Sequence, residues 1–219
     1  MTPDVLYRVR GSRKNEELRY SLRSLSKLEH GDVWIVGDVP PWVRGVKQIE
    51  GARYTTKWHG LVGDLLIACE QLSGKTLLLM DDDFYVLTAG PPPPVVHSGP
   101  LKDHAGRVIG SYQRSLALTY QYLVGQGIKE PLSYELHIPM VIKADKMAEV
   151  LWPVATEPMQ ARSLYGNLAH LGGKLAADVK ARRTDPIPGG RWLSSQNFLG
   201  PIAPLLQQTF PEAGPYEQV

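Results

Sequence analysis

Residues 77–87 read Leu-Leu-Leu-Met-Asp-Asp-Asp-Phe-Tyr-Val-Leu, so that an aliphatic run meets three consecutive carboxylates. A continuous apolar run is typical of a strand that is buried on both faces. Three adjacent carboxylates at its end repel one another, and each raises the proton affinity of the next. A positive charge is needed to offset them, and a divalent cation with oxygen ligands is the simplest candidate. The alternative is a solvated acidic turn between the strand and a loop.

Two strand–helix units lead up to this stretch. Turn residues and apolar spacing predict, in chain order, a strand at 5–9, a helix capped by Asn15, a strand at 33–36, a short strand at 46–49, a helix at 60–72 and a strand at 76–80. Alternating strands and helices are the unit of a parallel sheet. We therefore predict an α/β fold with a mainly parallel central sheet flanked by helices, in one domain over residues 1–219.

The sequence changes in character after Leu87. Residues 89–110 include four consecutive prolines, Pro100 and several glycines, which predicts a long, stiff loop. Two roles of this segment stay open: a binding loop or lid, and a surface loop without a function of its own. Beyond the loop we predict a helix at 111–124, a strand at 137–142 in which Pro139 indicates either a sheet edge or an irregularity, and helices at 144–151, 159–171 and 202–209.

Composition and charge exclude several classes of protein. The chain has 24 Lys+Arg and 22 Asp+Glu, a net charge of +2, which is too even for nucleic-acid binding through the overall field. Cys69 is the only cysteine, so no intrachain disulfide or thiolate metal cluster is expected. The first residues lack the pattern of a secretion signal, and no apolar run has the length of a membrane span. We therefore expect a soluble, cytoplasmic protein.

Several familiar catalytic signatures are missing from the sequence. It contains no Gly-rich phosphate loop with Lys-Ser/Thr, no Gly-x-Gly-x-x-Gly, no Gly-x-Ser-x-Gly and no His-Glu-x-x-His. Kinase, Rossmann dehydrogenase, α/β-hydrolase and zincin functions therefore have little support. What remains is the carboxylate cluster at the carboxyl end of a strand, which is where open α/β sheets bind ligands.

An Asp-x-Asp at the end of such a strand suits Mg²⁺ or Mn²⁺, whose open coordination positions accept a diphosphate. Since side chains alternate along a strand, Asp81 and Asp83 should share one face if the strand stays regular. We therefore expect Asp83 as a direct metal ligand and Asp81 as a second ligand, directly or through water. Asp82 is expected instead to hydrogen-bond the donor substrate, which is the molecule that carries the diphosphate.

Three motifs carry a resemblance to a known family. Glu-Leu-Arg-Tyr-Ser-Leu-Arg-Ser-Leu at 17–25, Val-Trp-Ile-Val-Gly at 33–37 and Leu-Leu-Met-Asp-Asp-Asp-Phe at 78–84 resemble the GT-A-fold glycosyltransferases. The chain is most similar to small bacteriophage-encoded glycosyltransferases and, more distantly, to Stealth-type capsular sugar-phosphate transferases. The pieces at 135–140, 163–167 and 178–180 resemble the same phage group, so that the resemblance spans most of the chain.

This resemblance implies a GT-A-like (Rossmann-like) domain and a metal-dependent hexosyltransferase. Residues 1–88 would form the nucleotide-sugar-binding half and residues 111–219 the acceptor-side half. The donor would be a nucleotide-diphosphate sugar, often a UDP-sugar, and the cofactor Mn²⁺ or Mg²⁺. The acceptor is open and could be a protein, a glycan or a modified nucleic acid. A phage-encoded enzyme would work in the host cytoplasm.

The resemblance also implies roles for individual residues. In these enzymes the first strand and the following turn cradle the nucleotide, and a downstream histidine often completes the metal site. The donor-binding residues would then be Arg8, Val9, Arg10, Asn15, Lys57, Asp64, Asp81, Asp82 and Lys180. The metal ligands would be Asp81, Asp83 and His137. Ordinary surface charge is the alternative for the basic residues, and a buried structural histidine or a phosphate contact is the alternative for His137.

The catalytic base and the group transferred are the open points. An inverting transferase needs a base for the acceptor hydroxyl, and Glu135 and Asp178 are the candidates. A retaining transferase needs no base in that place. Three other functions stay open: a Stealth-like hexose-1-phosphate transferase, a non-catalytic nucleotide- or carbohydrate-binding domain, and a metal-dependent nuclease or phosphatase.

Overall fold

A computed structural model describes residues 2–11, 13–52, 57–182 and 186–218, and of Trp58 it describes only the backbone. The polar turn that the sequence predicts at Thr55 and Thr56 lies outside the described residues. The strands are β1 (Asp4–Val9), β2 (Val33–Gly37), β3 (Lys47–Ile49), β4 (Thr76–Asp81), β5 (Phe84–Val86), β6 (Val96–His97), β7 (Met140–Lys143), β8 (Lys174–Leu175), β9 (Lys180–Ala181) and β10 (Trp192–Ser195). The helices are α1 (Glu16–Ser24), α2 (Lys57–Gln71), α3 (Leu101–Gly106), α4 (Gly110–Gly125), α5 (Ala144–Leu151), α6 (Ala161–Leu168) and α7 (Ile202–Thr209), with 3₁₀ turns at Leu25–Lys27 and Trp152–Val154.

The central sheet has five strands in the order β3-β2-β1-β4-β7. The first four run parallel, and β7 is antiparallel to β4 at the edge. The α/β fold with a mainly parallel sheet is therefore confirmed, and so is the edge position of the strand near Pro139. That strand begins only at Met140, since proline has no N–H to donate to a ladder.

The aliphatic run of β4 supplies both sides of the sheet. Leu77 and Leu79 pack into one core with α2, α5 and α6, whereas Leu78 and Met80 pack into the other core with α1. All four side chains are almost fully buried, and each contributes roughly 1.5–3 kcal/mol relative to an exposed position. The prediction of a strand buried on both faces is confirmed.

The chain does not continue as a regular strand through the three carboxylates. Strand β4 ends at Asp81, Asp82 and Asp83 form a turn, and β5 belongs to a second sheet with the order β5-β10-β9. The regular alternation that would have put Asp81 and Asp83 on one face is therefore not realised. Because the backbone turns at this point, the three carboxylates point in different directions and each reaches a different partner. The three like charges at this sheet edge are thereby separated.

The proline-rich segment 89–110 was predicted as a loop, but it contains β6 and α3, and α4 already begins at Gly110. Strand β6 pairs in parallel with β8, and Arg191 donates hydrogen bonds to the carbonyls of Thr88, Gly90 and Pro91 at the base of the segment. Elements of two and six residues are too short to show a period in the sequence. Within the described ranges, no helix combines the length and apolar character needed to cross a bilayer.

Candidate functional site

A cleft of about 500 Å³ lies where strands β1 and β4 end. Its walls come from the end of β1, the first half of α2, the acidic turn, segment 135–137, the start of α6 and Lys180. This volume suits a small-molecule ligand, and the carboxyl ends of parallel strands are the usual ligand site of such sheets. The cleft is therefore the candidate functional site.

Most of the residues expected from the sequence meet in this cleft. The lining includes Arg8, Arg10, Lys57, Asp64, Asp81, Asp82, Asp83, Glu135, His137 and Lys180. Val9, Asn15 and Asp178 are not part of the lining. Val9 is buried in β1 and accepts a backbone hydrogen bond from Asp38, while Asn15 and Asp178 hold residues that do line the cleft.

Each carboxylate of the acidic triplet has its own partner. Arg8 Nη2 lies 2.6 Å from Asp81 Oδ1, across neighbouring strands. Asn15 Nδ2 donates to Asp82 Oδ2 at 2.8 Å. Lys180 Nζ and the hydroxyl of Ser194 donate to Asp83 Oδ2 at 3.0 and 3.2 Å. The triplet is thus joined to β1, to the start of α1 and to the second sheet.

These partners set the charge states of the triplet. Burial would raise the pKa of Asp81, but the Arg8 guanidinium outweighs it and holds the pKa below the usual value. Burial raises the pKa of Asp82 to about 6, with further repulsion from Asp83, Asp81 and Glu17, although its bond to Asn15 acts in the opposite direction. Asp82 therefore takes up a proton slightly below neutral pH, which reduces the negative charge of the turn.

Asn15 joins the helix cap to the acidic turn. Its backbone adopts the left-handed conformation, with φ of 30°, which asparagine tolerates better than most residues. Its side-chain oxygen accepts from the Leu18 amide at 3.0 Å, as an N-cap does, while its nitrogen donates to Asp82. The predicted N-cap is confirmed, and its second bond explains why an asparagine serves here.

A second ion pair forms the opposite wall. Arg10 donates through Nε and Nη2 to Asp64 Oδ2 at 3.1 and 2.9 Å, and Asp64 Oδ1 accepts from the Ala52 amide at 2.7 Å. The Asp64 side chain is 2% exposed. A Cβ on Gly60 would lie 1.8 Å from Arg10 Nη2, so that a side chain at this position of α2 would displace the guanidinium from its place beside Asp64.

Arg162 was not singled out from the sequence, yet it is the most unusual residue of the lining. It is 6% exposed and donates to the carbonyls of Leu136, at 2.5 Å, and Ile138, while its Nε has no partner. Among the described residues no carboxylate forms an ion pair with it, and burial lowers its pKa. One feature of the sequence could have pointed to Arg162: it lies in the first turn of a predicted helix, where the helix dipole disfavours a cation.

His137 and Glu135 occupy the third wall. Asp178 accepts from the His137 amide at 2.9 Å through Oδ1 and contacts ring Nδ1 at 2.7 Å through Oδ2. Glu135 accepts from the amide and hydroxyl of Ser163, at 2.8 and 2.9 Å, in the first turn of α6. Both carboxylates expected as bases are thus engaged, and only Glu135 reaches the cleft itself.

The residues expected to hold a divalent cation do not form a ready site. Asp81 is paired with Arg8, Asp83 with Lys180, and His137 with Asp178. Over the part of the chain that the structure describes, no three His, Cys, Asp or Glu side chains come together in a way that would hold a metal ion. A cation at this place would share the carboxylates of Asp81 and Asp83 with Arg8 and Lys180, so the metal requirement stays a prediction.

No protein-family profile matches this chain, and no curated protein matches it. In the comparison of folds, 16 chains of known structure match. One is the bifunctional IspDF from Campylobacter jejuni, with a TM-score of 0.40 and 10% identity over 80% of this chain. The match covers 49% of that chain, so this protein spans about half its length. A likeness at this TM-score defines neither the fold family nor the function.

Proposed function

We propose that this chain is a glycosyltransferase of the GT-A type, which holds the diphosphate of a nucleotide sugar in the cleft and transfers the sugar to an acceptor. The observation that carries the proposal is the buried guanidinium of Arg162, which lines the cleft without a carboxylate partner among the described residues. Burying a charge costs several kcal/mol, and the two carbonyl hydrogen bonds of Arg162 and its attraction to Glu135 and Asp81 offset this only in part, since its pKa is still lowered. An anion in the cleft would compensate that charge.

The surroundings of Arg162 favour a diphosphate over a small anion. Lys57, Lys180, Arg8 and Arg10 line the same cleft, beside five carboxylates, so that a ligand with several phosphate groups can reach more than one cation. Arginine and lysine are the residues that proteins use to bind phosphate groups. The acidic partners of Arg8, Arg10 and Lys180 line the same cleft. Their carboxylate oxygens could accept hydrogen bonds from the hydroxyl groups of a sugar or a ribose.

The basic side chains of the cleft would hold the diphosphate. Mn²⁺ or Mg²⁺, expected from the resemblance, would have to compete with Arg8 and Lys180 for Asp81 and Asp83. Greater stabilisation of the donor complex with Mn²⁺ than with chelator would show that the cation takes part in donor binding. Equal donor binding with a chelator would show that the basic residues are sufficient.

A thermal-shift panel tests the proposal. UDP-glucose, UDP-N-acetylglucosamine, GDP-mannose and UDP are each added with Mn²⁺ or with chelator, and at least one should raise the Tm by mass action. Arg162→Met should weaken that ligand about 10–100-fold, because a hydrogen bond to a charged group contributes about 1.5–3 kcal/mol. Arg114→Met is the matched control, since Arg114 is exposed on α4 outside the cleft.

The outcomes separate the related functions. A wild-type protein that no nucleotide stabilises, or an Arg162→Met variant that binds as tightly as Arg114→Met, contradicts the proposal. Lys180→Met provides a second cleft variant if Arg162→Met does not fold. Release of a nucleoside diphosphate from the donor contradicts a purely binding function, and release of a nucleoside monophosphate would instead indicate transfer of a sugar phosphate.

A further inference from the structure

Asp178 fixes the ring of His137 in one orientation and one tautomer. Its two oxygens accept from the backbone amide and contact Nδ1 of the same residue, and Oδ1 also accepts from the Val179 amide at 2.9 Å. Burial would raise the pKa of Asp178, but the hydrogen bonds from His137 outweigh it and lower the pKa below its usual value. Asp178 Oδ2 lies 2.7 Å from Nδ1, so Nδ1 is the ring nitrogen that donates and Nε2 is the one left for a ligand.

The other ring nitrogen is available to a ligand. His137 lines the cleft, its side chain is 32% exposed, and Nε2 has no hydrogen-bond partner among the described residues. The ring contacts the edge of Phe84, with 6.1 Å between ring centroids, which holds it from a second side. An imidazole that a carboxylate holds at Nδ1 and that faces a cleft with Nε2 has the arrangement of a general base.

Glu135 is a weaker candidate for the same task. Its Oε1 accepts two hydrogen bonds from Ser163 and lies at the first turn of α6, where the helix dipole favours a carboxylate. Taking up a proton there would weaken both interactions. Asp178 does not line the cleft and reaches a substrate only through His137.

We propose that His137 is the general base of the transfer reaction and that Asp178 is its positioning residue, an inference that rests on the proposed glycosyltransferase function. The acceptor hydroxyl gives its proton to Nε2 while its oxygen bonds to the anomeric carbon of the donor sugar. The bond from that carbon to the diphosphate breaks, and its electron pair leaves with the nucleoside diphosphate. Asp178 stabilises the imidazolium, which then returns the proton to water.

The proposed step is a single displacement, so it predicts inversion at the anomeric carbon. A histidine that ligates a metal would also donate its second ring nitrogen to a carboxylate, so the test must separate a base from a ligand.

The test follows release of UDP or GDP from the donor that the thermal-shift panel identifies, with water as the acceptor. We expect His137→Gln to lower kcat about 10²–10⁴-fold while the Kd for UDP stays unchanged. Added imidazole should restore turnover in His137→Ala, and the concentration of Mn²⁺ that gives half-maximal rate should not shift. Asp178→Asn should lower kcat with an unchanged donor KM, and Asp178→Glu should recover part of it. His30→Gln is the matched control, because His30 does not line the cleft.

Three results would overturn the assignment: turnover by both His137→Gln and His137→Ala close to that of His30→Gln, loss of UDP affinity in parallel with turnover, or a product with retained configuration. A shift of the Mn²⁺ requirement in His137→Gln would make the residue a metal ligand instead. If the wild-type protein binds a donor but His137 variants turn over normally, only this inference fails. If the wild-type protein neither binds nor turns over any donor, the proposed function fails and the inference falls with it.

Discussion

Arg8 and Asp81 are register partners on the adjacent parallel strands β1 and β4, and Nη2 of Arg8 lies 2.6 Å from Oδ1 of Asp81. The pair closes the floor of the cleft, where the Arg8 side chain is 9% exposed. Arg8 has little access to water that could replace its partner, whereas the Asp81 side chain is 27% exposed, so this contact contributes to the fold as well as to the site.

Asp81→Asn should therefore destabilise the protein. Removing one partner of a buried ion pair leaves the other charge uncompensated, and we expect the free energy of unfolding to fall by about 2–4 kcal/mol. Urea denaturation measures this change. Asp32→Asn is the control, because Asp32 and Lys47 form a pair at 2.6 Å with side chains 46% and 54% exposed, which should contribute less than about 1 kcal/mol. Equal losses in the two variants would contradict the prediction.

Glu217 should make stability depend on acid pH. Its side chain is 2% exposed and pairs with Arg23 at 2.6 Å and with Arg19 at 2.8 Å. Burial would raise the pKa of Glu217, but its hydrogen bonds, above all that from Arg23, lower it below the ordinary 4.5. The folded state therefore binds fewer protons than the unfolded state, so this stabilisation is present above pH 4.5 and is lost as the pH falls through the folded pKa.

Glu217→Gln should accordingly cost about 2–4 kcal/mol at pH 7, and the difference from wild type should shrink when denaturation is repeated at pH values below 4.5. Glu16→Gln is a matched control on the same surface, since Glu16 also bonds Arg19 but is 43% exposed. A loss in Glu217→Gln that stays constant from pH 7 to pH 3 would argue against the ion pair as its cause.

Gly166 should tolerate no side chain. A Cβ at this position of α6 would lie 2.4 Å from two ring carbons of Tyr134, whose hydroxyl donates to the Gly172 carbonyl. Gly166→Ala should therefore lower the free energy of unfolding by about 1–3 kcal/mol through overpacking. Gly125→Ala at the end of α4 meets no atom within 4 Å, and it should be neutral or stabilising by up to about 1 kcal/mol. A Gly166→Ala variant as stable as Gly125→Ala would mean that Tyr134 moves without cost.

The elements that could be predicted from the sequence have a clear local signal. Strands β1 and β4 are predicted within one residue because central strands of a parallel sheet are apolar throughout. Helices α5 and α7 have the predicted bounds, 144–151 and 202–209, because their apolar residues recur at helical spacing. The carboxyl edge of β4 was likewise marked as a ligand site by its position after a buried strand.

The features that were missed depend on distant parts of the chain. Strands β8 and β9 have two residues each and no periodicity. His137 and Asp178 are 41 positions apart, and their contact is not readable from either local sequence. Arg162 is held by carbonyls of segment 135–138 and not by a carboxylate, and this contact forms only because the fold brings that segment against α6. Contacts between side chains were therefore harder to predict from the sequence than helices and strands.

The acidic turn has a consequence for mutagenesis. Three successive residues there bond to three remote parts of the polypeptide. Asp81 bonds to a neighbouring strand, Asp82 bonds to the cap of α1, and Asp83 bonds to the second sheet. An alanine scan across them would report on architecture and on activity at once. Loss of the proposed transferase activity in such a variant would identify a catalytic carboxylate only if its unfolding curve coincided with that of the parent protein.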